Sequence, residues 1–243
     1  MDARRLQLQL ASRLRWQKQA HELERSDKTL AAYLPTLRKW QTRRLEASFT
    51  RFLDNPETRP AAEFFLSDLY ADRDFSARDR DAAKVLPMMS RFLPDSLLRA
   101  ATDAIELAVL SHAFDLRLAE FLARRPDPLR PISAADYGRA YQSANYPRLR
   151  RHQIGLVLRV GHALDAAVKK HGVYKLLKAA RVPAQLAGLS ELQKFLERGF
   201  TAFDALGGAD SFLNQVATRE LEISRRLFAG HPQPFAQPNS SSR

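Results

Sequence analysis

Five polar residues occupy positions where a helical period calls for apolar ones. Asp68 falls between Phe64 and Phe65 around a short helix. His112 and Asp115 share a strip with Ala101, Ala108 and Ala119 on a long one. Glu220 interrupts the stripe Phe212, Val216, Ile223, Leu227, and Gln153 lies on the apolar side of another helix. A buried carboxylate without a partner is too costly to be incidental, so two chemistries compete. In the first, these groups are satisfied by hydrogen bonds and ion pairs that fix helix register. In the second, carboxylates and an imidazole converge in a pocket, with pKa values shifted by burial, to do acid–base work or hold a metal. Asp68, His112, Asp115 and Glu220 are the catalytic candidates of that second reading.

Metal spacing can be examined directly. Di-iron carboxylate bundles place Glu-x-x-His on two helices and a Glu on two others. Here the order is reversed, in His112-Ala-Phe-Asp115 and His162-Ala-Leu-Asp165. His162 falls on a strongly basic face, where like charge opposes a cation. No metal ligand is therefore assigned and no cofactor is expected; a metal remains only as a variant of the pocket reading. His21, His171 and His231 have no partner at ligand spacing and read as surface residues. The chain has no Cys, which excludes disulfides, thiolate metal sites and a cysteine nucleophile. It contains no Gly-x-Ser-x-Gly elbow, and Gly207-Gly208 reads as a helix end and turn. Phe195, Leu196, Phe200 and Phe203 gather broadly on one side of a helix, with Gly199 permitting close approach. They suit a helix–helix core or, alternatively, a cavity for an apolar ligand.

Charge gives the second candidate site. The 243 residues carry 39 Lys+Arg against 27 Asp+Glu, a net charge of +12. Two segments hold the excess: residues 1–54 with 12 basic and 6 acidic side chains, and residues 147–181 with 9 and 1. On a helical wheel for 147–170, Arg148, Arg151, His152, Arg159, His162, Lys169 and Lys170 share one face. Ile154, Leu156, Val157, Val160, Leu164 and Val168 take the other. Arg148, Arg151, Arg159, Lys169 and Lys170 are the anion-binding candidates. Such a ridge would meet nucleic acid, an acidic protein or lipid headgroups, with binding that weakens as salt rises; the same pattern also describes a solvated face paired with acids from another segment. No helix-turn-helix, aromatic RNA-binding strand or zinc pattern accompanies it.

The elements that must position these residues are helical throughout. The spacing predicts helices over 3–24, from a cap at Ser26 or Asp27 to about 53, over 61–70, after Ser76 with a kink at Pro87, and from Pro94 to about 125. Pro35 should delay or kink the second. Beyond the Pro-rich 124–131 stretch, helices follow over 133–144, Pro147 to about 170, short pieces in 173–188, then 190–206 and 209–228. The fold class is all-α: a single irregular multi-helix bundle of about nine or ten helices. Residues 1–26 form an amphipathic N-terminal helix, 27–230 the bundle domain and 231–243 a disordered tail. Nothing in the sequence ties the first helix to the core, so it could mediate homo-oligomer formation. No run of about 18 apolar residues exists for a transmembrane span, and the N-terminus lacks the apolar stretch of a secretory signal. A cytoplasmic location is expected.

The strings Phe64-Phe65-Leu66-Ser67-Asp68-Leu69-Tyr70, Asp74-Phe75 with Arg78-Asp79, Phe195 through Phe203, Arg219-Glu220 and Arg226-Leu227-Phe228-Ala229-Gly230 resemble a family of uncharacterised bacterial all-helical proteins with an FFL-x-DLY segment. The resemblance covers most of residues 40–230. It departs at Ala71, where the family usually has Gly. It implies a one-domain helical protein and brings no activity. The functional expectation is a non-enzymatic binding or adaptor protein that uses its basic helix face on an anionic partner. The alternative is a helical-bundle enzyme or ligand carrier with a buried carboxylate/His pocket.

Overall fold

A computed structural model describes residues 3–69, 81, 84–85 and 95–236. The helix expected after Ser76, with its Pro87 kink, falls mostly outside the described residues, as do Tyr70, Ala71, Asp74, Phe75, Arg78 and Asp79. Among the described residues there are ten α-helices and no strand. They are α1 (Ala3–Ser26), α2 (Lys28–Asp54), α3 (Arg59–Phe64), α4 (Asp95–Ala123), α5 (Ala134–Ala144), α6 (Pro147–Val168), α7 (Val173–Ala179), α8 (Arg181–Leu186), α9 (Ser190–Asp204) and α10 (Asp210–Phe228).

Local sequence sets the helix starts. The Asp27 carboxylate accepts from the N–H groups of Thr29 and Leu30 at 2.9 and 3.1 Å, satisfying two of the donors a helix leaves open at its first turn. This cap starts α2 early, and the helix runs through Pro35 instead of beginning after it. Ser133 and Asp136 form a reciprocal capping box on α5. The helix expected over 61–70 divides in two: one turn of α3, with Pro60 in its first turn, then a π-helical segment, Phe65–Leu69.

The long α4 is the spine, because α1, α2, α5 and α6 all pack on it. Three apolar clusters surround it. Leu34 and Leu37 meet Leu118, Leu122, Tyr137 and Ile223. Phe49, Phe65, Phe203, Phe212 and Leu213 meet Val157. Leu6 and Leu10 meet Leu98, Ile105 and Val109. That third cluster binds α1 to the bundle, so the leucine stripe read as open to a second copy is covered within the chain by α4. The stretch expected to lose order from residue 231 folds back over 231–236: the Phe235 ring lies edge-on to Trp40 at 5.8 Å, and Arg219 donates to the Phe235 carbonyl at 2.6 Å. Residues 237–243 lie outside the described residues. No helix among the described residues is long and apolar enough to cross a membrane.

Candidate functional site

Three α2 residues at three-residue steps, Arg38, Gln41 and Arg44, project a row of donors toward α4 and α10. Gln41 Nε2 donates to Asp115 Oδ1 at 3.0 Å, and Arg38 Nε stands 3.8 Å from Asp115 Oδ2. Arg38 also approaches His112 Nδ1 at 3.2 Å, while Arg44 donates to Glu220 Oε1 at 2.6 Å. The row therefore gathers three of the four catalytic candidates along one seam and gives each a partner. Burial pushes the Asp115 carboxyl above its usual range, against the pull of Gln41, Arg38 and Arg150. Burial, reinforced by His21, pushes the His112 imidazole down. Both shifts work against charge in a partly buried seam.

Asp68 lies elsewhere. It is buried at the π-helical segment, where Ser67 Oγ donates to it at 2.8 Å and Arg198 of α9 binds it through Nε at 2.9 Å and through a second guanidinium nitrogen. These partners lie on α9 and beside Asp68 itself, away from the α2 row, so the four candidates do not share one pocket. Gln153 is satisfied by Ser111 Oγ at 2.8 Å and by Arg150 at 3.1 Å. The Phe-rich face of α9 is core: Phe200 and Phe203 are buried, and Gly199 lies under the Phe64 ring.

His21 corrects the sequence reading. It lies one turn before Glu24 on α1, with Nδ1 3.6 Å from Glu24 Oε2. Its ring faces that of His112 at a centroid distance of 4.8 Å and an interplanar angle of 30°. His112 Nε2 is 3.3 Å from the same Glu24 oxygen. The signal was present as His21-Glu22-Leu23-Glu24, a His-x-x-carboxylate repeat of His112-x-x-Asp115, but only the packing of α1 along α4 reveals that the two meet. The other repeat goes elsewhere: Asp165 accepts from Lys169 at 2.6 Å and from the Ala209 N–H at 3.1 Å, and His162 pairs with Asp210 at 3.1 Å.

The wheel for α6 holds, since Arg148, Arg151, His152, Arg159 and His162 are exposed and Leu156 and Val157 are buried. The five anion-binding candidates divide. Arg159 is paired with Asp103 at 2.8 Å and Lys169 with Asp165. Arg148, Arg151 and Lys170 are exposed and have no ion pair among the described residues. Beyond Lys170 the cationic surface continues on α7 and α8, within the basic 147–181 segment but on residues not singled out from the sequence as anion-binding candidates. These two helices bury no residue. They carry Lys175, Lys178 and Arg181, of which Arg181 is paired with Glu197 at 2.6 Å, and no acidic residue occurs between Asp165 and Glu191. Leu176, Val182 and Leu186 are 71%, 65% and 84% exposed, while Tyr174 anchors the pair by stacking on Phe200 at 5.1 Å.

A second arginine concentration lines an open cleft of about 820 Å³ between the ends of α4 and α5. Each of its arginines is ion-paired, although five guanidiniums share two carboxylates. Asp136, with its side chain fully buried, takes Arg125 at 3.0 Å, Arg130 at 2.9 Å and Arg139 at 2.5 Å. Glu120 takes Arg124 at 2.8 Å and Arg117 at 3.6 Å. The arginines of this cleft are tied into an ion-pair network, whereas Arg148, Arg151, Lys170, Lys175 and Lys178 on the α6–α8 surface have no ion pair among the described residues.

Fold and surface together define an all-helical bundle with a paired polar seam and a one-sided cationic, apolar edge. The chain belongs to an uncharacterised family, described as a domain of unknown function (DUF8198), which matches residues 20–234. None of the curated proteins and none of the solved structures matches it.

Proposed function

We propose that this protein is a non-enzymatic binding module that meets an anionic partner through the exposed cations of α6 and the α7–α8 edge. One observation carries the reading: a stretch with no acidic residue from 166 to 190 presents Lys170, Lys175 and Lys178 beside exposed Leu176, Val182 and Leu186. Lysines beside protruding aliphatic side chains favour a phospholipid surface over a nucleic-acid duplex. Headgroups attract the charge while leucine enters the acyl boundary, whereas a phosphate backbone offers those leucines nothing. The pocket-enzyme alternative has less support, because Asp68 is separated from the others and each carboxylate is already engaged. The test is co-sedimentation of the full chain with phosphatidylglycerol vesicles and with neutral phosphatidylcholine vesicles, alongside heparin and duplex DNA. Binding to the acidic vesicles alone, lost on Lys175→Glu/Lys178→Glu, supports the proposal. Binding to DNA or heparin without vesicle binding redirects it to a polyanion. No binding to any of them at low salt overturns it.

A further inference from the structure

Outside the cationic edge, the least explained group of side chains is the one between α1 and α4. His112 Nε2 is enclosed, its side chain 11% exposed, and it has no hydrogen-bond partner among the described residues. The Glu24 oxygen is 3.3 Å away, so the contact fails on direction rather than on distance. A ring nitrogen held that close to a carboxylate oxygen, yet not aimed along a hydrogen bond, is the arrangement of two ligands that share a centre. His21 supplies the third donor: one ligand atom from each of His21, Glu24 and His112 can be chosen so that all lie within 4.8 Å of one another.

We infer that His21, Glu24 and His112 form a binding site for a divalent transition-metal ion of zinc type. Two imidazoles and one carboxylate are a donor set such ions accept, leaving a fourth position for water. At metal–ligand distances of about 2.0–2.1 Å, tetrahedral donors stand roughly 3.4 Å apart. The His112–Glu24 and His21–Glu24 separations, 3.3 and 3.6 Å, already bracket that figure; the two imidazoles, with ligand atoms held within 4.8 Å, must close toward it. His21 and Glu24 are held by their spacing on one face of α1, and His112 by the docking of α1 on α4 through Leu6 and Leu10.

Arg38 sets the site's affinity. Its guanidinium donates to His112 Nδ1, which leaves the ring proton on Nε2, the nitrogen the metal needs. Binding therefore moves that proton from Nε2 to Nδ1 and turns Arg38 away from the ring toward Asp115, which it already approaches. His112 Nδ1 then carries a proton, the tautomer in which a metal-bound imidazole donates onward. The site is in this sense opposed by one cation and improved by its removal.

The experiment is isothermal titration of the chelator-treated full chain with Zn2+ alone, repeated with Co2+ to record its visible absorption. The expected result is saturation at one ion per chain, with the intense absorption of nitrogen- and oxygen-bound four-coordinate Co2+. His112→Ala and Glu24→Gln are each expected to weaken binding at least about tenfold, while Arg38→Gln strengthens it and His171→Ala leaves it unchanged. Helix content by circular dichroism checks that each variant is folded, and Glu24→Gln, at the less buried end of the trio, keeps the test open if His112→Ala unfolds. Absence of saturable Zn2+ and Co2+ binding, or binding indifferent to both Glu24→Gln and His112→Ala, overturns the inference. Neither outcome bears on vesicle binding, which uses a different face.

Discussion

Gly161 on α6 lies directly against Leu213 on α10: a Cβ at that glycine would stand 2.5 Å from Leu213 Cδ2 and 2.7 Å from Cδ1. Leu213 is completely buried, so its side chain has nowhere to retreat. The absence of a side chain at 161 is what sets the distance between these helices. Gly161→Ala raises helix propensity by about 1 kcal/mol but forces overpacking that costs about 1–3 kcal/mol. A net loss of stability in urea unfolding is expected; a gain would mean that Leu213 repacks freely.

Asp136 is expected to give the fold an acid limb. Burial drives its carboxyl up, but the Ser133 hydroxyl and N–H, with Arg130 and Arg125, outweigh that and hold it at about 2. The folded value lies below the unfolded one of about 3.9. Its contribution is thus complete at neutral pH and disappears as pH falls from about 4 to about 2. Asp136→Asn strands three guanidiniums and should cost about 3 kcal/mol at pH 7. The gap between variant and parent should narrow in unfolding curves recorded from pH 5 downward.

Much of this was readable from residue spacing. The helix boundaries of α4, α6 and α10 follow from three- and four-residue apolar steps, and the exposed side of α6 is the side its wheel gives. What spacing cannot supply is which helix lies opposite. Asp115 and Glu220 were recognisable as polar groups on apolar faces, yet their partners Gln41 and Arg44 sit 74 and 176 residues away on a helix whose own pattern looks ordinary. His21 was read as a surface residue for the same reason: its second imidazole belongs to α4. The π-helical segment at Phe65–Leu69 left no mark, because its residues fit an α-helical period equally well.

The end of the described chain should matter for stability. Phe235 packs against Trp40 and Tyr137, and its carbonyl serves Arg219, whose Nε and Nη1 are buried without a hydrogen bond among the described residues. Phe235→Ala is expected to cost about 2–3 kcal/mol and to alter Trp40 fluorescence in the folded state. Unchanged emission with unchanged unfolding would show that 231–236 contribute nothing.

Charge and apolar contact at the α7–α8 edge should separate experimentally. Lys175→Gln/Lys178→Gln is expected to flatten the salt dependence of vesicle binding, by roughly 1 kcal/mol per lysine at low ionic strength. Leu176→Ser/Leu186→Ser should weaken binding at every salt concentration and leave that dependence intact. Equal effects of both pairs on the salt dependence would contradict a two-part attachment.

The central place of α4 has a consequence for synthesis. Residues 6, 10, 34 and 37 emerge from the ribosome long before residues 98–122, the surface they will cover. Until then the leucine stripes of two early helices lack the surface they will cover, and nascent-chain intermediates of this kind attract chaperones. The stretch between α2 and α4 thus acts as a delay: lengthening it extends the time the early helices spend exposed, and reordering the chain so that α4 comes first should shorten it.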